Sequence, residues 1–170
     1  MGQFLISLSQ QRRYWVALVG LGIFLEATAL YYQYALDEWP CVLCIHVRIL
    51  VMAFVLLGLL GLVSNASAPA RRLLHGVNIV IMVGLLERSW RLLAVERGWI
   101  FGDCEMDLGM PPWFALDQWF PWLFEVQTSC GYTPLIVFDI SMAEVLLVLS
   151  AALSVLSMAV FIASWFTRHP

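Results

Sequence analysis

The sequence predicts an all-α membrane protein: a four-transmembrane-helix bundle with both termini cytoplasmic and a long outer loop that carries a short interfacial helix. Three observations predict it. The 170-residue chain is 62% hydrophobic and only 12% charged, with a mean hydropathy of +0.85. A soluble domain is typically about 45–50% apolar and about 25% charged, so the composition points to lipid as the solvent. Four apolar stretches reach the roughly 20 residues that a helix needs to cross a bilayer. All nine basic residues are arginines, and five of the six that lie outside the predicted helices fall at one end of the bundle. The length leaves room for one domain.

The first helix is expected over about residues 14–34, broken only by Glu26. Arg12 and Arg13 before it and Ala27-Thr28-Ala29 within it have some features of a cleavable signal. The run is long for a signal, however, and bulky Tyr31 and Tyr32 follow. The second helix is expected over about residues 45–63, with His46 and Arg48 in its first turn. The third is expected over about residues 75–95, apolar at first and then interrupted by Glu87, Arg88 and Arg91. The fourth, over about residues 143–166, carries no charge beyond its first turn. Lipid offers no partner for backbone N–H and C=O groups, so helices that satisfy their own backbone are the natural solution. The alternating ten-residue strands of a membrane barrel are missing from the sequence.

Orientation follows from the arginines. Arg12 and Arg13 precede helix 1, Arg71 and Arg72 lie between helices 2 and 3, and Arg168 follows helix 4. These segments belong to the cytoplasmic side. The outer loops, about residues 35–44 and 98–142, are acidic: Asp37 and Glu38 in the first, Asp103, Glu105, Asp107, Asp117, Glu125 and Asp139 in the second. Only Arg97, at the edge of helix 3, runs against the pattern. The second loop is long for a connection, and its aromatic run from Trp113 to Phe124 is expected to form a short helix lying at headgroup depth. No basic cluster with interleaved aromatics suggests nucleic acid.

The four cysteines, Cys41, Cys44, Cys104 and Cys130, all fall on the outer side. Four cysteines allow three pairings; the natural one joins Cys41 to Cys44 and Cys104 to Cys130. A Cys-x-x-Cys bridge closes so small a loop that it constrains the unfolded chain little, and it makes more sense as redox chemistry. Two structural disulfides and a four-cysteine zinc site are the alternatives, but zinc usually takes two short-spaced pairs, so no metal is expected. Pro40 is a favoured first helical residue, which would set Cys41 and Cys44 near the N-terminus of helix 2, where the dipole favours a thiolate. Arg48 lies one turn beyond Cys44 on the same face and could hold an anionic or carbonyl-bearing ligand. His46 faces elsewhere and reads as interfacial. Glu26, Glu87, Arg88 and Arg91 fall in the outer half of the bilayer, where charges should face the bundle or a cavity. Glu87 and Arg91 have the spacing of an i,i+4 pair. The four charges read as a salt-bridge network, as the lining of a polar pocket beneath Cys44, or as both.

With these residues in place the chain resembles the disulfide bond formation protein B (DsbB) family over nearly its whole length. The resemblance is carried by Leu25-Glu26-Ala27-Thr28-Ala29-Leu30, by Pro40-Cys41-Val42-Leu43-Cys44 followed by Arg48, and by Cys104 with Trp113, Leu116-Asp117 and Trp119 ahead of Cys130. Met142 and Leu146-Leu147 fit the family's start of helix 4. It implies a bacterial inner-membrane thiol–quinone oxidoreductase with its redox cysteines on the periplasmic side. Its partner would be a soluble DsbA-like thiol oxidoreductase, and its cofactor ubiquinone or menaquinone from the membrane pool. In that family the loop pair, here Cys104–Cys130, takes electrons from the partner; Cys41–Cys44 relays them; Cys44 faces the quinone and Arg48 assists it. Two positions depart from the pattern. Val47 stands where the family often has Glu, and Arg91 stands at about the place where some relatives set a His beside the quinone, which makes it the helix 3 candidate for quinone contact. A vitamin K epoxide reductase-like enzyme is the competing family, but its C-x-x-C is expected after its loop cysteines, near the last helix. A non-enzymatic membrane subunit with inert disulfides is the remaining alternative.

Overall fold

The computed structural model describes residues 11–64, 67–101, 106–137 and 139–166. Four helices in it are long and apolar enough to cross a membrane: α1 (Arg12–Ala35), α2 (Val42–Val63), α3 (Ala68–Glu96) and α6 (Met142–Trp165). Their outward surfaces are apolar, with Val16, Ile23, Leu56, Leu60, Val80, Val148 and Ile162 all exposed. Such a surface fits a lipid solvent, since a soluble monomer rarely shows large contiguous apolar patches. Helix α1 packs on α2, α2 on α3, and α3 on α6.

Local chemistry sets the ends. Helix α1 stops at Ala35, and Asp37 then adopts a left-handed backbone with φ of 55°, a conformation that Asp tolerates better than most residues. Helix α3 starts earlier than the apolar run predicts. Ser67 is its N-cap and Pro69 stands in the first turn, so the helix begins at a start signal that precedes the bilayer and draws Arg71 and Arg72 into its first turns. At about 1.5 Å per residue its 29 residues exceed a hydrocarbon core of about 30 Å, which leaves both ends in the interfaces. It ends in a Schellman turn. Gly98 has a φ of 70°, the Trp99 N–H donates to the Ala94 carbonyl and the Gly98 N–H to that of Val95. Helix α6 opens with a capping box: the Ser141 hydroxyl accepts from the Glu144 N–H, and the Glu144 carboxylate accepts from the Ser141 N–H. Glu144 also pairs with Arg97, so the one arginine that runs against the charge asymmetry ties α3 to α6.

The aromatic stretch is not the single short helix that its pattern predicts. It forms a 3-10 turn at Pro112–Phe114 and two four-residue turns, α4 (Leu116–Trp119) and α5 (Pro121–Phe124). The reason is Pro121, which lacks an N–H and keeps Phe120 from helical backbone; Phe120 sits at φ −135° and ψ 65°. Trp113, Trp119 and Trp122 point outward. Beyond them β1 (Leu135–Val137) and β2 (Ile140–Ser141) make a small antiparallel pair that leads into α6.

The core has two parts. The inner one gathers Tyr14, Trp15, Leu18, Val51, Phe54, Met82 and Val160. Within it the Asn78 amide donates to the Tyr14 hydroxyl at 3.3 Å and to the Ser157 hydroxyl at 2.9 Å. The outer part gathers Cys41, Leu43, Ile45, Leu92, Leu108, Leu123 and Phe124, and so locks the second outer loop onto the helix ends around the cysteines.

Candidate functional site

The C-x-x-C forms the start of α2. Cys41 is the N-cap residue, with φ −86° and ψ 170°, and its sulfur accepts a hydrogen bond from the Cys44 N–H at 3.3 Å. Cys44 is then the third helical residue, so the pair occupies the same two positions as a capping box. Both sulfurs meet the positive end of the helix dipole, and they stand 2.6 Å apart. Pro40 lies outside the helix rather than at its first position. Its carbonyl accepts from the Gln127 N–H at 3.0 Å, and Cys41 forms a parallel bridge with Thr128. Serving as a backbone partner of the second loop, Pro40 leaves the cap itself to Cys41.

That pairing carries Cys130 to the C-x-x-C. Cys130 packs in the outer core cluster and is within hydrogen-bond reach of Cys41. The hydrogen bond from Cys130 alone would lower the Cys41 thiol; the bond shared with Cys44 and near-complete burial outweigh it and leave the thiol well above its ordinary range. Cys104, with its neighbours Asp103 and Glu105, lies outside the described residues, as do Arg168 and His169.

On the other side of Cys44 a cavity of about 310 Å³ opens between α1 and α6, with α2 as its back wall. Its surface is largely apolar, built from residues such as Leu25, Val47, Met142, Leu146 and Leu149. Cys44, Arg48 and Glu26 supply its inner polar groups. Arg48 is buried, at 5% exposure. One terminal nitrogen donates to Gln33 Oε1 at 2.8 Å and to the Leu123 carbonyl at 2.7 Å, and Nε faces the Glu26 carboxylate at 3.7 Å. Neither Glu26 oxygen, nor Arg48 Nε, has a hydrogen-bond partner among the described residues. Unsatisfied polar groups in an apolar cavity are costly; the Arg48 Nε–H suits a ligand that offers a carbonyl oxygen on an apolar ring, whereas Glu26 accepts hydrogen bonds and can donate one only while it carries a proton.

Arg91 does not line this cavity. It pairs with Glu87, which also meets Arg88 at 3.2 Å, and all three side chains are about two-fifths exposed, between 35% and 42%. These charges are a surface network of α3, apart from the cavity. The reason is helical phase: Leu85, Ser89 and Leu92 take the inward face of α3. His46 meets the Leu108 carbonyl at 3.1 Å. Gln33 is a contact that sequence reasoning missed. It accepts from Arg48 and donates to Gln127 Oε1 at 3.3 Å, and so bridges α1, α2 and the second loop. The signal was present: Gln33 is the first uncharged amide after a long apolar run.

The family model for disulfide bond formation protein DsbB matches residues 11–160. Curated relatives agree. The chain is 30% identical over 169 residues to disulfide bond formation protein B of Photorhabdus laumondii, covering 99% of each chain. It is 32% identical over 153 residues to that of Vibrio parahaemolyticus, covering 89% of this chain and 86% of the other. It is 33% identical over 126 residues to disulfide bond formation protein B 2 of Pseudomonas aeruginosa, covering 71% and 72%. Four apolar helices, a C-x-x-C capping the second of them and a match over most of the length lead to one assignment: the chain belongs to the DsbB family.

Proposed function

We propose that the chain is a quinone-dependent disulfide oxidoreductase of the bacterial inner membrane that reoxidises a soluble periplasmic thiol oxidant of the DsbA type. Electrons enter at Cys104–Cys130, pass to Cys41–Cys44 and leave to ubiquinone or menaquinone. The observation that carries the reading is the position of the C-x-x-C, with Cys130 beside Cys41 and the cavity of Arg48 and Glu26 beside Cys44. A relay needs a port on each side, and Cys130 beside Cys41 and the cavity beside Cys44 support that reading. Cys130, reduced by the partner, attacks the Cys41–Cys44 disulfide at Cys41, its near sulfur. Cys44 is then released as a thiolate that the helix N-terminus and Arg48 favour.

A bound quinone supplies a two-electron, two-proton sink. In this chain Arg48 and Cys44 would hold its head group, and the apolar walls of α1 and α6 would hold the ring and the start of its tail. A gap between two helices apolar enough to cross a membrane, α1 and α6, suits a ligand that arrives within the bilayer. The arginine asymmetry supports an outward, periplasmic position for the cysteines and cytoplasmic termini: Arg12, Arg13, Arg71 and Arg72 lie at one end of the bundle, while Asp37, Glu38 and Asp107 lie at the other.

The test is turnover. Purified protein with added quinone is expected to oxidise a reduced periplasmic thiol protein, and replacing any one cysteine by Ser is expected to abolish it. Full turnover in Cys41→Ser or Cys104→Ser would sink the relay, and inactivity of the intact protein would sink the enzyme reading.

A further inference from the structure

Quinone reduction needs protons as well as electrons, and the cavity contains few groups able to move one. We propose that Glu26 is the proton carrier of the site, passing a proton between the Cys41–Cys44 pair and a quinone oxygen; this rests on the reading of the cavity as a quinone site. Two thiols and a quinone give a disulfide and a hydroquinone. The S–S bond forms, two S–H bonds break, and the electron pair and both protons end on the two quinone oxygens. Glu26, a carboxylate beside Arg48 at rest, takes a proton from the thiol pair as the disulfide closes and passes it to one oxygen. It is therefore unchanged over the cycle. The second oxygen takes its proton from water at the outer mouth of the cavity, into which the other thiol proton is released.

The geometry singles out Glu26. It lines the cavity together with Cys44 and Arg48, and both of its oxygens are shielded from solvent without a hydrogen-bond partner among the described residues. Its ion pair with Arg48 is loose, at 3.7 Å. The other groups that face the cavity do not serve. From α2 come Cys44, which is the electron donor, and Arg48, whose guanidinium does not deprotonate in proteins. Tyr32 of α1, Glu38 of the first outer loop and Tyr132 of the second are open to solvent in part, and Glu38 accepts from the Tyr132 hydroxyl. The Thr28 and Thr133 hydroxyls donate elsewhere, to the Phe24 carbonyl and to Glu96, while α3 and α6 contribute only apolar side chains to the cavity. A carboxyl inside the cavity is the remaining acid, and a charge-bearing residue in a membrane helix is costly unless it serves such a purpose.

The first test avoids quinone. Redox-difference infrared spectra of the quinone-free protein, taken as the Cys41–Cys44 pair is reduced and oxidised, are expected to show a carboxyl band that Glu26→Gln removes. Identical difference spectra in the two proteins would overturn the proposal. The second test is kinetic. Glu26→Gln is expected to lower kcat for quinone reduction by about 100-fold, at the lower end of general acid–base contributions, with the quinone KM little changed and one limb of the pH profile lost. Glu26→Asp keeps an acid, so it is expected to retain the band and recover part of the rate; it also serves if Glu26→Gln does not fold. An Asp variant without the band, or a Gln variant with wild-type kcat and pH profile, counts against Glu26 alone. A wild-type protein that reduces no quinone defeats the functional reading beneath it.

Discussion

Replacing Arg48 by Ala removes the one cation that lines the cavity among the described residues and the strut that holds the second outer loop above it. The guanidinium makes two short hydrogen bonds, to Gln33 Oε1 at 2.8 Å and to the Leu123 carbonyl at 2.7 Å, with Glu26 at 3.7 Å from Nε. The unpartnered Nε is the group left to meet a quinone oxygen. A hydrogen bond to a charged group contributes about 1.5–3 kcal/mol. At about 1.4 kcal/mol per factor of ten, its loss is expected to raise the quinone KM by roughly 10- to 150-fold. The effect on kcat should be smaller, because Cys44 keeps its place at the third position of α2 and the helix dipole still supports its thiolate. The assay is steady-state turnover in detergent or nanodiscs with excess reduced thiol partner and varied quinone. Thermal unfolding of the same samples separates a folding defect from a binding one. A quinone KM within twofold of wild type in a folded Arg48→Ala protein would remove Arg48 from the site and with it the assignment of the cavity.

Two further outcomes follow from the same geometry. Gln33→Leu removes a neutral bridge that fixes Arg48 from α1 and reaches Gln127 in the loop. A bond to a charged group contributes about 1.5–3 kcal/mol, but the Leu123 carbonyl still holds the guanidinium, so about half of that is expected to reach binding and the quinone KM should rise roughly three- to twelvefold in the turnover assay; no change would show that the Leu123 carbonyl alone orients the guanidinium. In the fully reduced protein, Cys41 is almost completely buried and its thiol is held above the ordinary range, whereas Cys130 is only partly buried. A small maleimide at mildly alkaline pH should therefore label Cys130 well before Cys41, as read by mass spectrometry of timed samples, and equal rates would contradict the burial of the cap.

The helices were legible because lipid imposes a coarse rule, about 20 apolar residues per crossing, that survives isolated charges such as Glu26. Their ends were less legible. The apolar run that marks the third crossing hides the fact that α3 starts at Ala68, since capping by Ser67 and Pro69 obeys helix chemistry and not bilayer thickness. The aromatic stretch misled in the opposite direction: its composition reads as an interfacial helix, but the single residue Pro121 divides it into turns. At the site, Cys41, Cys44 and Arg48 were readable because their relations are local, spaced by three and four residues on one helix. The place of Cys130 was not. It depends on the pairing of Pro40 and Cys41 with Gln127 and Thr128, a contact across almost ninety positions that leaves no periodic signature. Arg91 shows the same limit from the other side. Its place on α3 was legible, but the phase of α3 decides whether it meets the cavity, and Leu85, Ser89 and Leu92 take the inward face.

In the proposed relay, the same non-local contacts bear on how the two cysteine pairs would exchange electrons. Stable structural disulfides have potentials below about −300 mV, whereas DsbA, in the standard value for that oxidant rather than any result of this structure, lies near −120 mV. Oxidising such a partner with an ordinary structural disulfide would be uphill by about 180 mV, or about 8 kcal/mol for two electrons. In the proposed relay the loop pair would therefore have to be coupled to something more oxidising, and coupling requires contact. The backbone pairing at Cys41 and Thr128 meets this need, because it keeps Cys130 at the mouth of the C-x-x-C instead of leaving the encounter to loop diffusion. Arg48 reinforces it from below through the Leu123 carbonyl. One guanidinium thus touches both halves of the proposed relay, the cavity through Nε and the loop through a terminal nitrogen. Occupation of the cavity and the seating of Cys130 on Cys41 are then linked through a single side chain, and a substitution at Arg48 that weakens quinone binding should also slow exchange between the two cysteine pairs when no quinone is present.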